Sequence, residues 1–177
     1  IDGKFVSDTI TYHKNSKYDG HSHLIWRSGV KHDCAQILEL VKDGAFYINK
    51  IGDRAKLEDD LLYPFVKGSK LKNKVIVDAD YYTIITQQKV GQDTSFIKSR
   101  YPLTYNYLEK NEQYFTSRKS SIYNDKPRFS IFGIGDYSFK RFKVAIAGLY
   151  KVVNFSLIAP QGDKPILLDD TCYFLGF

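Results

Sequence analysis

The sequence holds 177 residues, enough for one domain with its own core, and 43% of them are hydrophobic against 26% charged, which excludes a disordered chain. Lys and Arg outnumber Asp and Glu by 26 to 20, a net charge of +6 that favours a polyanionic partner. No apolar run approaches the ~20 residues that span a bilayer, and Cys34 and Cys172 are too few for a disulfide framework or a four-sulfur zinc site.

Residues 1–20 are polar, lack the apolar stretch of a signal peptide, and read as an extended or loop-like lead-in to a single domain over 21–177. With no Met anywhere, the sequence is expected to begin inside a longer polypeptide. Residues 21–27 (HSHLIWR) read as a strand. Asp33 followed by Gln36 resembles a capping box, and Ala35, Leu38 and Val41 recur at helical spacing up to Gly44, which predicts a helix over 34–43. Residues 45–50 (AFYINK) alternate as a strand does, and 57–63 make a short helical segment that Pro64 ends. Residues 67–74 (KGSKLKNK) form a basic loop and 80–87 (DYYTIITQ) a β-branched, aromatic strand.

Asp93 or Thr94 caps a short helix that stops before Pro102, and Pro102 suits the first turn of a second helix near 103–115. Residues 118–128 (RKSSIYNDKPR) are a polar, basic connection. The last fifty residues are strand-rich: 139–147, then the alternation of Val153, Phe155 and Leu157 with Val152, Asn154 and Ser156, then 166–168 and 171–177 around a turn at Asp169–Asp170. The fold class expected is α+β, with mixed or antiparallel sheets and a few short helices.

Several motifs fail on physical grounds. Gly133-Ile-Gly135 begins like a dinucleotide fingerprint but lacks the third glycine and the helix that would point at a phosphate, so its glycines are expected to serve a tight turn. His13, His21, His23 and His32 offer no i, i+4 pair for zinc, and neither a P-loop nor a Gly-x-Ser-x-Gly elbow occurs. No catalytic and no metal-ligating residue is assigned. Asp78, Asp80 and Lys89 loosely match a magnesium nuclease, which stays as one alternative, and a scaffold domain is another. The stronger pattern is cations interleaved with rings: Lys67, Lys70, Lys72 and Lys74; Arg118, Lys119, Lys126 and Arg128 with Tyr123; and Lys140, Arg141, Lys143 and Lys151 with Phe139, Phe142 and Tyr150. Cations neutralise phosphates, and polar neighbours can reach base edges.

From about Trp26 onward the blocks WRSGVKHDC (26–34), LEDDLLYPFVKGSKL (57–71), IITQQKVGQDTSFI (84–97), YPLTYNYLEKNEQYFTSRKSSIY (101–123), FSIFGIGDYSFKRFKVAIAGLYK (129–151) and KPILLDDTCYFLGF (164–177) resemble the C-terminal part of bacterial N6-adenine DNA methyltransferases of restriction-modification systems, in particular the TaqI-like specificity domain. The resemblance implies a target-recognition fold that reads double-stranded DNA in the bacterial cytoplasm. Its partner would be the methyltransferase catalytic domain of the same polypeptide, where S-adenosylmethionine binds and the target adenine is flipped out; in some such enzymes an endonuclease is fused as well. The Asn-Pro-Pro-Tyr motif and the glycine-rich cofactor motif of that catalytic domain are absent here, so this stretch is expected to hold no cofactor and to perform no methylation alone. The residues expected to touch DNA are Lys70, Arg118, Lys119, Ser120, Tyr123, Lys140, Arg141, Lys143 and Lys151, with the Arg118–Tyr123 stretch foremost.

Overall fold

The structure is a computed structural model describing residues 1, 3–149 and 153–177. In chain order its elements are α1 (Thr9–Asn15), β1 (Arg27–Ser28), α2 (Ala35–Leu38), β2 (Glu39–Asp43), β3 (Phe46–Asn49), β4 (Arg54–Ala55), β5 (Leu62–Val66), β6 (Val75–Ile76), β7 (Tyr81–Ile84), α3 (Phe96–Arg100), α4 (Pro102–Lys110), α5 (Glu112–Thr116), β8 (Lys143–Ala147), β9 (Ser156–Ile158), β10 (Leu167–Leu168) and β11 (Cys172–Gly176). One sheet runs β1-β11-β8-β9-β6 and the other β10-β5-β7-β2-β3-β4. Neighbours are antiparallel except β5/β10 and β6/β9, which are parallel. The α+β class with mixed sheets and short helices is therefore what the chain adopts. Among the described residues, no helix is long and apolar enough to cross a membrane.

Several local expectations need correction. The lead-in contains a helix, α1, because the Asp8 carboxylate accepts from the amides of Ile10 and Thr11 at 3.0 and 3.1 Å. Strand β1 is only Arg27–Ser28, at a sheet edge. The helix expected over 34–43 lasts one turn. After Leu38 the chain extends as β2, because Leu40 pairs with both Asn49 of β3 and Tyr82 of β7, and these ladders outweigh the helical spacing. Gly44 is the first central residue of the two-residue β2–β3 turn, with φ +59°, the position where a type II′ turn demands glycine. Asp33 caps nothing; its carboxylate meets Lys31 Nζ at 2.7 Å, and the Cys34 amide donates to His32 Nδ1. Residues 59–61 make a 3-10 turn, but the chain then continues as β5 through Pro64, whose missing N–H is harmless because β10 pairs only with Phe65 and Val66. Residues 136–139 are likewise a 3-10 turn, and β8 begins at Lys143. Val152, in the alternation expected before β9, lies outside the described residues.

Two apolar clusters form the core. One, with Ile37, Leu62, Phe65, Ile97, Leu108, Phe129 and Leu167, joins the six-stranded sheet to α2–α5. The other, with Val66, Ile76, Ala145, Ile158, Leu168 and Phe174, fills the space beneath the five-stranded sheet. Phe65 and Leu167 face the first cluster, and their neighbours Val66 and Leu168 the second, so the β5/β10 edge is a wall shared by both. Both cysteines are free and buried, and burial pushes the Cys34 thiol up to about 11.

The sheets are tied together at residues 29–31. The Val30 amide donates to the Leu168 carbonyl at 2.7 Å, and Lys31 exchanges amide bonds with Phe132. A Cβ on Gly29 would stand 2.2 Å from the Asp169 carbonyl oxygen, and one on Gly133 2.0 Å from the Gly29 carbonyl oxygen, so three backbone segments meet here because two of them carry no side chain. The α4 terminus is capped from a distance: Glu58 accepts from the amides of Leu103 and Thr104, both at 2.8 Å, a bond type that contributes about 1 kcal/mol. This fixes α4 and α3 against the six-stranded sheet and thereby one wall of the groove described next.

Candidate nucleic-acid interface

The segment 128–131, which follows the basic connection, is held at four consecutive residues. Thr94 Oγ1 donates to the Arg128 carbonyl (2.6 Å), Thr86 Oγ1 to the Phe129 carbonyl (2.7 Å) and the Arg118 guanidinium to the Ser130 carbonyl (2.6 Å). The Ile131 amide donates to Gln87 Oε1 (2.8 Å). Inside this clamp Phe129 adopts φ +60°, a left-handed conformation that costs a bulky residue about 1–2 kcal/mol. The ring compensates by burial, packing edge-to-face on Phe115 with centroids 5.0 Å apart. The stretch 84–97 thus acts as a buttress, a role its composition did not reveal.

Pro127, Arg128 and Phe129 form the floor shared by two adjoining clefts. Lys98 and Tyr105 stand on the α3–α4 side; Arg118, Tyr123 and Lys126 stand on the other. Lys98 Nζ lies 5.6 Å from the Tyr105 ring centroid, and Arg128 bonds Glu112 and the Tyr105 hydroxyl at 2.8 and 3.0 Å. The result is an open groove with rings in its walls and cations that outnumber the acids Asp93 and Glu112 lining it, a combination suited to a phosphate backbone with exposed bases beside it.

The structure sorts the residues expected to touch DNA. Lys119, Lys140 and Arg141 are exposed and Ser120 is half-buried; none of the three cations makes an ion pair among the described residues. Lys70 is exposed and pairs with Asp80 at 2.7 Å, a solvent-screened surface bridge that leaves it available. Arg118 stands half-buried in the groove wall and also braces it. Its guanidinium bonds the carbonyls of Phe115, His32 and Ser130 and stacks on Tyr123 at 3.6 Å, and Tyr123 reaches the Lys31 carbonyl. Lys143 is corrected outright: its side chain lies wholly inside, with Nζ bonded to the carbonyls of Lys140 (2.6 Å) and Ile166 (2.9 Å). On an antiparallel strand its side chain alternates with Val144 and so falls on the core face. Lys151, with Tyr150 of the same cluster, lies outside the described residues.

Burial without an acidic partner pushes the Lys143 amine down to about 8. The unfolded chain, with its ordinary value near 10.5, therefore holds a proton that the folded chain has lost between those limits. Stability is expected to rise with pH across about 8 to 10.5, by roughly 3 kcal/mol from this one group. Urea titrations of the wild type and Lys143→Met across this range test it, since the difference between the two should carry that slope; identical pH dependence in both would refute it.

Elsewhere cations and acids are spent on each other. Glu39, the first residue of β2, is buried and bonded by Lys67 at 2.9 Å and by Lys50. Burial raises its carboxyl, but the two lysines outweigh that and hold it below the usual range. His32 lies 3.8 Å from it, and burial drives this imidazole down to about 4, so it stays neutral at neutral pH. Asp78 and Asp80 line a separate cleft with Lys70 and Lys72, whose walls do not include Lys89. Among the described residues no three His, Cys, Asp or Glu side chains are grouped to hold a metal ion.

No family model matches the chain. Over 160 residues, 90% of its length, it is 46% identical to the type II methyltransferase M.NspV of Nostoc sp. (strain ATCC 29411 / PCC 7524), of which it spans 33%. In three dimensions it resembles part of the type IIL restriction-modification enzyme MmeI, solved in complex with DNA. The TM-score is 0.54 and the identity 11%, over 88% of this chain and 19% of that one, a likeness of fold alone. The chain is thus similar in sequence to a third of a type II methyltransferase, and it shares its fold with a portion of a restriction-modification enzyme.

Proposed function

We propose that residues 21–177 are the target-recognition domain of a site-specific adenine-N6 DNA methyltransferase of a restriction-modification system. The identity of 46% to a third of a type II methyltransferase carries this reading. The fold shared with an enzyme solved on DNA supports it, as do the cationic, ring-lined groove over Pro127–Phe129 and the absence of the adenine-gripping Asn-Pro-Pro-Tyr sequence. In this reading Lys126 in the groove wall and the exposed Lys70, Lys119, Lys140 and Arg141 neutralise phosphates, and Ser120 reads a base edge. Arg118 and Tyr123 hold the connection in shape. S-adenosylmethionine and the extruded adenine belong to a catalytic domain upstream in the same bacterial, cytoplasmic polypeptide.

The test is a selection of the 177-residue chain against duplexes carrying a randomised centre. A short enriched sequence is expected, bound at least ~10³-fold more tightly than random duplex. Binding without enrichment, or no binding at low salt, would defeat the assignment. Methyl transfer by this chain alone would defeat the division of labour.

A further inference from the structure

The five-stranded sheet has an inner face that is core and an outer face that the described residues leave partly open, with Leu175 on it buried and Val144 and Ile146 half-buried. Register places Val75, Leu157, Val144 and Leu175 in one row across four strands, and Ile146 and Tyr173 in the next. Phe142 and Phe177, joined by the Phe177 amide on the Phe142 carbonyl, extend the same face by alternation. These rows carry no Lys, Arg, Asp or Glu. A half-solvated antiparallel sheet normally alternates apolar with polar, yet here both faces are apolar, and Val75, Leu157, Tyr173 and Phe177 remain 43–60% exposed. The Trp26 indole lies against Phe155 at this surface, their ring centroids 6.1 Å apart. Trp26 also ends the stretch 1–26, where Phe5, Ile10, Tyr18, Leu24 and Ile25 are exposed and α1 buries no residue.

We propose that this outer face, with Trp26 at its margin, is the seat of the remaining portion of the methyltransferase polypeptide. The proposal rests on the functional reading above. A surface without cations cannot neutralise phosphate, so it is not a second DNA face. A contiguous apolar patch of this kind marks a covered surface, and the relative of known kind devotes two thirds of its length to sequence outside the matched region. The cationic groove and the apolar face then divide the domain's two tasks: one meets the duplex and the other joins the catalytic neighbour.

In the full-length polypeptide, p-benzoylphenylalanine placed at Leu157 or at Phe177 is expected to cross-link, on irradiation, to peptides outside these 177 residues at the mass of a single polypeptide. The same probe at Lys119 should not. Leu157→Glu with Val75→Glu should leave duplex affinity of the 177-residue chain within about twofold, yet lower methylation by the full polypeptide about tenfold or more, since it sets charges against a desolvated contact. Cross-links joining two copies would make this a dimer face and overturn the proposal. So would absence of cross-links, or a collapse of duplex affinity in the double variant. Failure of the unmodified chain to bind duplex would instead strike the recognition reading and leave the cross-linking result to be judged by itself.

Discussion

Gly133→Ala is expected to destabilise the fold by about 4 kcal/mol, the sum of roughly 1–2 for a left-handed alanine and roughly 1–3 for forcing apart a packed site. Gly133 has φ +64°, and the Cβ would stand 2.0 Å from the Gly29 carbonyl oxygen, a backbone atom that cannot swing aside. Gly29 is itself fixed by its amide bond to the Cys172 carbonyl and by the close approach of Asp169. Gly44→Ala is the matched control. Its φ is +59° but no atom lies within 4 Å of the added carbon, so it should cost only the backbone part, about 1 kcal/mol. Equilibrium urea unfolding of the two variants measures the difference. Equal losses would mean that the contact between residues 29 and 133 is not tight in solution.

The second large effect concerns binding. Replacing Lys119, Lys126, Lys140 and Arg141 together by Gln should reduce duplex affinity by about 100-fold or more near 0.1 M salt. It should also flatten the dependence of log affinity on log salt by up to roughly 3.6, at about 0.9 per phosphate contact. All four are exposed and none is ion-paired among the described residues, so the melting temperature should barely move. Arg118→Gln makes the contrast. It removes bonds to three carbonyls and the cover over Tyr123, so it should lower stability first and affect binding through the shape of the groove. Fluorescence anisotropy across a salt series, with a thermal melt of each variant, separates the two behaviours. An unchanged salt slope in the quadruple variant would remove these residues from the interface.

How far the sequence spoke depended on whether the deciding interaction was local. Pro102 announced the start of α4, and the β-branched run at 81–84 announced β7, because each rests on its own backbone preferences. The helix drawn over 34–43 failed because Glu39–Asp43 is claimed on both sides by strands distant in sequence. Basic clustering found Lys119, Lys140 and Arg141 on the surface, but periodicity could not tell that Lys143, two residues beyond Arg141, turns inward as β8 begins. The sequence drew attention to Arg118 but could not show its bracing role, since the three carbonyls it bonds belong to residues 32, 115 and 130. The clamp made by Thr86, Gln87 and Thr94 left no mark in composition; only the block 84–97, noted for its resemblance, pointed there. The unbroken apolar parity of β8 and β11 was present in the sequence, yet it reads as core until the sheet order shows one side open.

The junction at Gly29–Lys31 also governs when the molecule can come into being. β1 is zipped to β11, and Val30 to Leu168, across about 140 residues of intervening chain. During synthesis the five-stranded sheet lacks its second strand from the edge until residues 172–176 have emerged, so residues 26–31 wait for the whole of the intervening stretch before meeting their mate. Assembly of so non-local a pairing is slow, and during that interval Trp26, Ile25 and Leu24 are sticky ends open to chaperones or to premature association. A growing chain of this design is most vulnerable in the interval between the making of β1 and of β11.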